Sequence, residues 1–153
     1  RNPKLESELG VKYADADTVF RESDFVTVHV PLTEKTRNFV GEKQLNLMKK
    51  TAILVNTSRG PVVDEKALYK ALKEEKIAGA GLDVFQKEPI EMSNPLLKLD
   101  NVVLLPHIGS ASVETRTKMA VMAVENAIAA LEGKVPPNLA NPEVLKIRPP
   151  TSK

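Results

Sequence analysis

The chain has 153 residues, 42% of them hydrophobic and 27% charged, with a formal net charge of +2. That is an ordinary globular composition, with enough chain for one real core. The charges are interspersed, which leaves no footprint for nucleic acid or an anionic membrane. Cysteine is absent, so disulfide and thiol chemistry are excluded and a reducing compartment is natural; separately, no metal site is expected. No apolar run approaches a membrane span and no signal peptide is recognisable. The first residue is Arg1, and the chain is expected to be a piece of a longer one.

In chain order, Pro3–Leu9 reads as a short helix, with Pro3 early and Gly10 as its stop. Val11–Ala14 reads as a brief strand, and Asp17 as the cap of a short helix over Thr18–Arg21. Phe25–Val30 (FVTVHV) is a buried strand closed by Pro31, followed by a loop over Leu32–Val40. Gly41–Lys49 carries Leu45 and Met48 at helical spacing. Ala52–Val55 is a second apolar run of buried-strand type, which breaks into Asn56-Thr57-Ser58-Arg59 and turns at Gly60-Pro61. Asp64–Lys76 is a helix capped by Asp64. Glu65 suits its positive end, and Leu68, Ala71 and Leu72 form its stripe.

Ile77–Val84 is a strand of small residues, Phe85–Leu99 an irregular loop, and Val102–Leu105 a further strand leading into Pro106-His107-Ile108-Gly109. Ser112 caps a long helix to about Leu131, with Gly133 beyond it. The following segment is proline-rich (Pro136, Pro137, Pro142, Pro149, Pro150) and reads as an extended tail laid over a surface or partner domain. Strands alternating with helices predict an α/β fold, a Rossmann-type doubly wound parallel sheet.

Ligands of such sheets sit at the carboxyl ends of the strands. Arg59, Glu88 and His107 stand just past strand ends, with Asp83 as a fourth. Singly, each has a bland reading: a surface ion pair, a solvated loop carboxylate, a structural turn histidine. Together they make an acid–base unit with an anion clamp. Reduction of a 2-oxo acid needs a planar cation for the carboxylate, a proton donor for the carbonyl oxygen and a carboxylate to orient that donor. Gly79-Ala80-Gly81 is the only Gly-x-Gly. It lies inside a strand, so it reads as a close-packing device rather than a phosphate loop.

Four ordered blocks, HVPLTEKTRNFV (29–40), ILVNTSRGPVVDEKALYKAL (53–72), AGAGLDVFQKEP (78–89) and NVVLLPHIGSAS (101–112), resemble the D-isomer-specific 2-hydroxyacid dehydrogenases. Their nearest likeness is to the glyoxylate reductase/hydroxypyruvate reductase branch. The resemblance implies that Arg59 grips the substrate, His107 is the general acid/base and Glu88 its partner. It places Asp83 at the nicotinamide carboxamide, Val30 and Pro31 along the adenosine, and Thr36 near the cofactor. Thr57, Ser58 and Gly109 fall beside the nicotinamide end.

The family's glycine-rich fingerprint and most of its substrate domain have no counterpart here, so activity is attributed to a longer parent chain. Residues 1–110 correspond to an NAD(P)-binding domain without its glycine-rich part, and 111–153 to a helix and tail packing toward the substrate domain. Arg1 matches a position where an arginine can meet a 2′-phosphate, which points to NADP over NAD. The resemblance further implies a small 2-oxo acid as substrate, a homodimer and a cytoplasmic location. The alternatives are a phosphoglycerate or other D-2-hydroxyacid dehydrogenase, a dinucleotide-sensing corepressor that binds peptides, and an inactive fragment.

Overall fold

A computed structural model describes residues 1–149; Pro150, the last proline of the expected tail, lies outside them. The chain divides into two compact units, Arg1–Gly109 and a second beginning at Ser110.

The first unit is built on four parallel strands in the order β1-β2-β3-β4: β1 (Phe25–Val28), β2 (Ile53–Asn56), β3 (Gly79–Leu82) and β4 (Val102–Leu104). This monotonic order is one wing of a Rossmann-type α/β sheet. The register runs Val28↔Asn56↔Leu82↔Leu104 at the carboxyl edge, so the loops after all four strands leave on one side. Val26, Val28, Leu54, Ala80 and Leu82 bury their side chains with Leu45, Leu68, Leu72 and Ile77.

Four helices accompany the sheet: α1 (Pro3–Leu9), α2 (Ala16–Glu22), α3 (Glu42–Leu47) and α4 (Glu65–Lys73). α2 packs on α3, and α3 on α4. The Asp64 carboxylate accepts the Lys66 and Ala67 N–H groups at 3.0 and 3.2 Å, which satisfies two of the orphan donors at the start of α4.

The structure trims several expected boundaries. Val11–Ala14 is not a strand; the Val11 N–H instead closes α1 by bonding the Glu6 carbonyl at 3.0 Å. The cap of α2 is Asp15, not Asp17. Asp15 accepts the Thr18 N–H at 2.9 Å, whereas Asp17 pairs with Lys43. α4 stops at Lys73 rather than Lys76, because Glu75 turns left-handed (φ 52°) and the Lys76 N–H reaches back to the Ala71 carbonyl.

β1 ends at Val28, two residues early, and β3 is four residues long where eight were expected. A ladder extends only as far as its neighbour, and β2 ends where the Asn56 side chain takes over the turn. The expected loop 85–99 contains a short 3₁₀ turn over Pro95–Lys98, opened by Asn94. At Gly79 a Cβ would lie 2.9 Å from the Asn101 carbonyl oxygen, so the glycine there is a close-packing device as expected.

The second unit is α5 (Val113–Leu131), capped by Ser112 through the Thr115 N–H at 3.2 Å, and the segment after it. That segment is not simply extended. The Asn138 N–H bonds the Asn126 side chain at 3.0 Å, and Pro142–Lys146 forms a 3₁₀ turn. Among the described residues no helix is long and apolar enough to cross a membrane.

Candidate functional site

The carboxyl edge of the sheet gathers Arg59, Asp83, Glu88 and His107 in three successive loops, with Val30, Pro31 and Thr36 in the loop after β1. After β2, the buried Asn56 organises its own turn. Its Oδ1 accepts the Ser58 N–H and Oγ–H at 3.0 and 2.9 Å, and its Nδ2 donates to the Arg59 carbonyl at 3.1 Å. This turn exposes Thr57 and Arg59. The Arg59 guanidinium rests on the neighbouring Ser58 carbonyl at 2.6 Å, so its remaining N–H groups are available to an anion.

After β3, Asp83 is buried and accepts two backbone N–H groups from the loop after β4: Ile108 at 2.8 Å and Gly109 at 2.7 Å. This is a sound way to bury a carboxylate. It also pins both residues that follow His107, whose backbone is left-handed (φ 55°), a conformation costly for a residue with a Cβ.

His107 then meets Glu88 across the gap between loops, with Nδ1 lying 2.6 Å from Glu88 Oε2. A carboxylate only accepts, so Nδ1 carries the proton and Nε2 is left for exchange with a ligand. Glu88 Oε1 accepts the Phe85 N–H at 2.9 Å. The His107 hydrogen bond, above all, holds the Glu88 carboxyl below the usual glutamate range. The Phe85 N–H and the charges of His107 and Arg59 add to this, while partial burial opposes it. Arg59, Glu88 and His107 thus share one electrostatic neighbourhood.

Two concavities flank these loops. A groove of about 530 Å³ is lined by His29, Val30, Pro31, Leu32, Thr57, Ser58 and Arg59. One wall is apolar and the other polar, which fits the mixed ring-and-ribose surface of a dinucleotide. A more apolar hollow of about 580 Å³ lies beside Glu88 and His107, against Phe85, Ile90 and Leu104.

Thr36 is not among the residues lining the groove. Its hydroxyl donates to the Pro31 carbonyl at 2.6 Å and fixes the turn that shapes the groove's apolar wall. Arg1 is paired with Glu6 at 3.1 Å and lies over the Tyr13 ring.

Sequence reasoning missed three contributors. Asn56 was legible in principle, since Asn at a strand end two residues before Ser is an Asx-turn signal. His29, which lines the groove, stood in a quoted block but was not singled out. Glu65 reads from sequence only as a helix-end charge, yet its carboxylate accepts the Gln86 N–H and the Asn94 side-chain amide, 21 and 29 residues away.

Residues 1–109 match the family model described as D-isomer specific 2-hydroxyacid dehydrogenase, NAD binding domain. The chain belongs to this family. It is 63% identical over 150 residues to a glyoxylate reductase of Korarchaeum cryptofilum, a match covering 98% of this chain and 45% of that relative. Among solved structures, it resembles an NADPH-dependent glyoxylate/hydroxypyruvate reductase of Sinorhizobium meliloti in complex with NADP and malonate. That match has a TM-score of 0.75 and 41% identity, and covers 80% of this chain and 38% of the other. A D-isomer specific 2-hydroxyacid dehydrogenase of Lactobacillus delbrueckii in its NAD-complexed form matches with a TM-score of 0.78 and 36% identity, covering 92% and 46%. The chain therefore spans less than half the length of these family members.

Proposed function

We propose that this chain carries the acid–base edge of an NAD(P)H-dependent reductase that converts glyoxylate or hydroxypyruvate to the corresponding 2-hydroxy acid. The supporting observation is the His107–Glu88 pair at 2.6 Å, in the same electrostatic neighbourhood as Arg59. Arg59 binds the substrate carboxylate with its planar fork. His107 delivers a proton from Nε2 to the carbonyl oxygen. Glu88 keeps Nδ1 protonated and stabilises the imidazolium in the reverse direction. Asp83 holds the His107 loop in place through the Ile108 and Gly109 N–H groups.

The dinucleotide, when bound, supplies the hydride. Val30, Pro31, Thr57, Ser58, Arg59 and Gly109 would hold it, with Thr36 shaping the turn and Asp83 near the carboxamide. Arg1 favours NADP, in which case a 2′-phosphate replaces Glu6 as its partner. Residues 1–110 then form the cofactor-binding part and 111–153 serve the substrate domain. The enzyme is read as a cytoplasmic homodimer.

The test is glyoxylate-dependent oxidation of NADPH and of NADH by the full-length protein containing this chain. His107→Ala is expected to lower kcat by roughly 10²–10⁴-fold. Near-normal turnover in that variant would refute the role.

A further inference from the structure

We propose that Glu65 is the positioning residue of the acid–base pair, because its carboxylate ties together both ends of the loop that carries Glu88. The proposal rests on the reading of Glu88 and His107 given above and says how one partner of that pair is held.

Glu65 is the first residue of α4, and its charge suits the positive end of a helix. Its contacts go further than that. One carboxylate oxygen accepts the Gln86 backbone N–H, and the other accepts the Asn94 side-chain amide at 3.1 Å. Gln86 and Asn94 bracket the exposed stretch in which Glu88 sits. Gln86 is tied a second time, through its own side-chain amide to the Val63 carbonyl at 3.3 Å. Asn94 in turn accepts the Leu96 N–H at 3.0 Å and opens the 3₁₀ turn that anchors buried Leu96. Among the described residues, Glu65 is thus the one side chain that holds both the entry and the exit of the loop.

Burial fixes the flanks of this loop, through Phe85, Leu96 and the partly buried Ile90, but not the stretch around Glu88. Gln86, Lys87, Glu88 and Pro89 are all exposed, and Lys87 is occupied with Glu91. Hydrogen bonds set the place of that stretch, and Gln86 directly follows Phe85, whose N–H orients Glu88. A displacement of about 1 Å at Gln86 passes to Glu88 and takes a 2.6 Å contact out of good hydrogen-bond range. The charged groups facing Glu88 are His107 and Arg59, and Asp83 fixes the His107 side of the pair.

The experiment uses Glu65→Gln in the full-length protein, alone and combined with Asn94→Asp. The single variant keeps an acceptor for Gln86 but sets one amide NH₂ against another at Asn94. The double variant restores the bridge with donor and acceptor exchanged, and the carboxylate introduced by N94D still accepts the Leu96 N–H. Two readouts are taken: the carboxyl ¹³C titration of Glu88, and kcat and KM for glyoxylate.

E65Q is expected to move the Glu88 midpoint up toward the ordinary glutamate range, since the His107 hydrogen bond is the chief cause holding it down. It is expected to lower kcat by roughly ten- to a hundredfold with little change in KM. The double variant is expected to return both toward wild type. An unchanged Glu88 titration and kcat in E65Q would reduce Glu65 to a helix-end charge and overturn the proposal, whatever happens to thermal stability. A changed titration that E65Q/N94D fails to restore would overturn it equally. Normal turnover in His107→Ala would instead strike the acid–base reading, while the Glu88 titration still reports whether Glu65 holds the loop.

Discussion

The Arg59 turn and the Glu88–His107 pair share one edge of the sheet but are held there by opposite means. The turn is self-contained. Asn56, at the end of β2, makes all three of the hydrogen bonds described above within the next three residues, and Gly60-Pro61 completes the reversal. The pair is assembled from afar. Glu88 and His107 are 19 residues apart, Asp83 holds amides 25 and 26 residues away, and Glu65 reaches 21 residues to Gln86. The Arg59 turn is therefore a local structure, whereas the Glu88–His107 pair exists only once the β2–β4 layer and its loops have docked. Damage to the first should be confined to substrate binding, and damage to the second should spread.

The sharpest way to break the distinction is at the place where the two regions touch. At Gly60 a Cβ would fall 1.8 Å from the Phe85 carbonyl oxygen, a clash with backbone that no side-chain movement relieves. Gly60→Ala is expected to cost about 3 kcal/mol, read as a fall in urea midpoint, and to impair both substrate affinity and turnover. If only KM rises, the two loops are less coupled than this contact implies.

Next in size is a matched pair of variants. Asn56→Ala leaves the Ser58 N–H without its partner, and Asp83→Asn leaves one acceptor oxygen for two loop amides. Each is expected to cost about 1–3 kcal/mol. They should part company in kinetics, with Asn56→Ala raising KM for glyoxylate and Asp83→Asn lowering kcat. Identical kinetic signatures would erase the distinction between a local clamp and a remote pair.

The smallest effect is pH-dependent and belongs to the pair alone. The folded-state pKa of Glu88 is depressed, so its contribution to stability is fully present above its unfolded pKa of about 4.3 and is lost as pH falls through the lower folded value. His107→Ala removes the chief cause of that depression. The decline in urea midpoint between about pH 5 and pH 3 should therefore be shallower in the variant than in the wild type. An equal or steeper decline would mean that Glu88 owes its shift to something other than His107.

The same contrast explains what could be read from the chain beforehand. The Arg59 turn was visible in Asn56-Thr57-Ser58-Arg59-Gly60-Pro61 because a strand end, a polar break and a turn are written in consecutive letters. So were the caps at Asp64 and Ser112. Glu88 and His107 were placed at their strand ends by motif, but nothing in the spacing showed that Asp83 would grip the amides after His107 or that Glu65 would bridge Gln86 and Asn94. Those contacts depend on which loops become neighbours. Strand limits failed for a related reason: Phe25–Val30 has strand-like residues throughout and Ile77–Val84 has small residues with no internal stop, yet a ladder ends where its neighbour ends. The cap of α2 is Asp15 rather than Asp17 because both are competent caps, and a tertiary contact with Lys43 engages Asp17.

Among the described residues β4 ends the sheet opposite β1, with one unpaired side and the exposed apolar side chain of Val103. Such a rim is a template on which a foreign extended segment can zip up and seed aggregation. Here it is three residues long, and Pro106 follows soon after. A proline has no N–H to offer an incoming strand. The residue that leads the chain into the His107 turn thus also acts as a gatekeeper, limiting how far stray pairing along β4 can run.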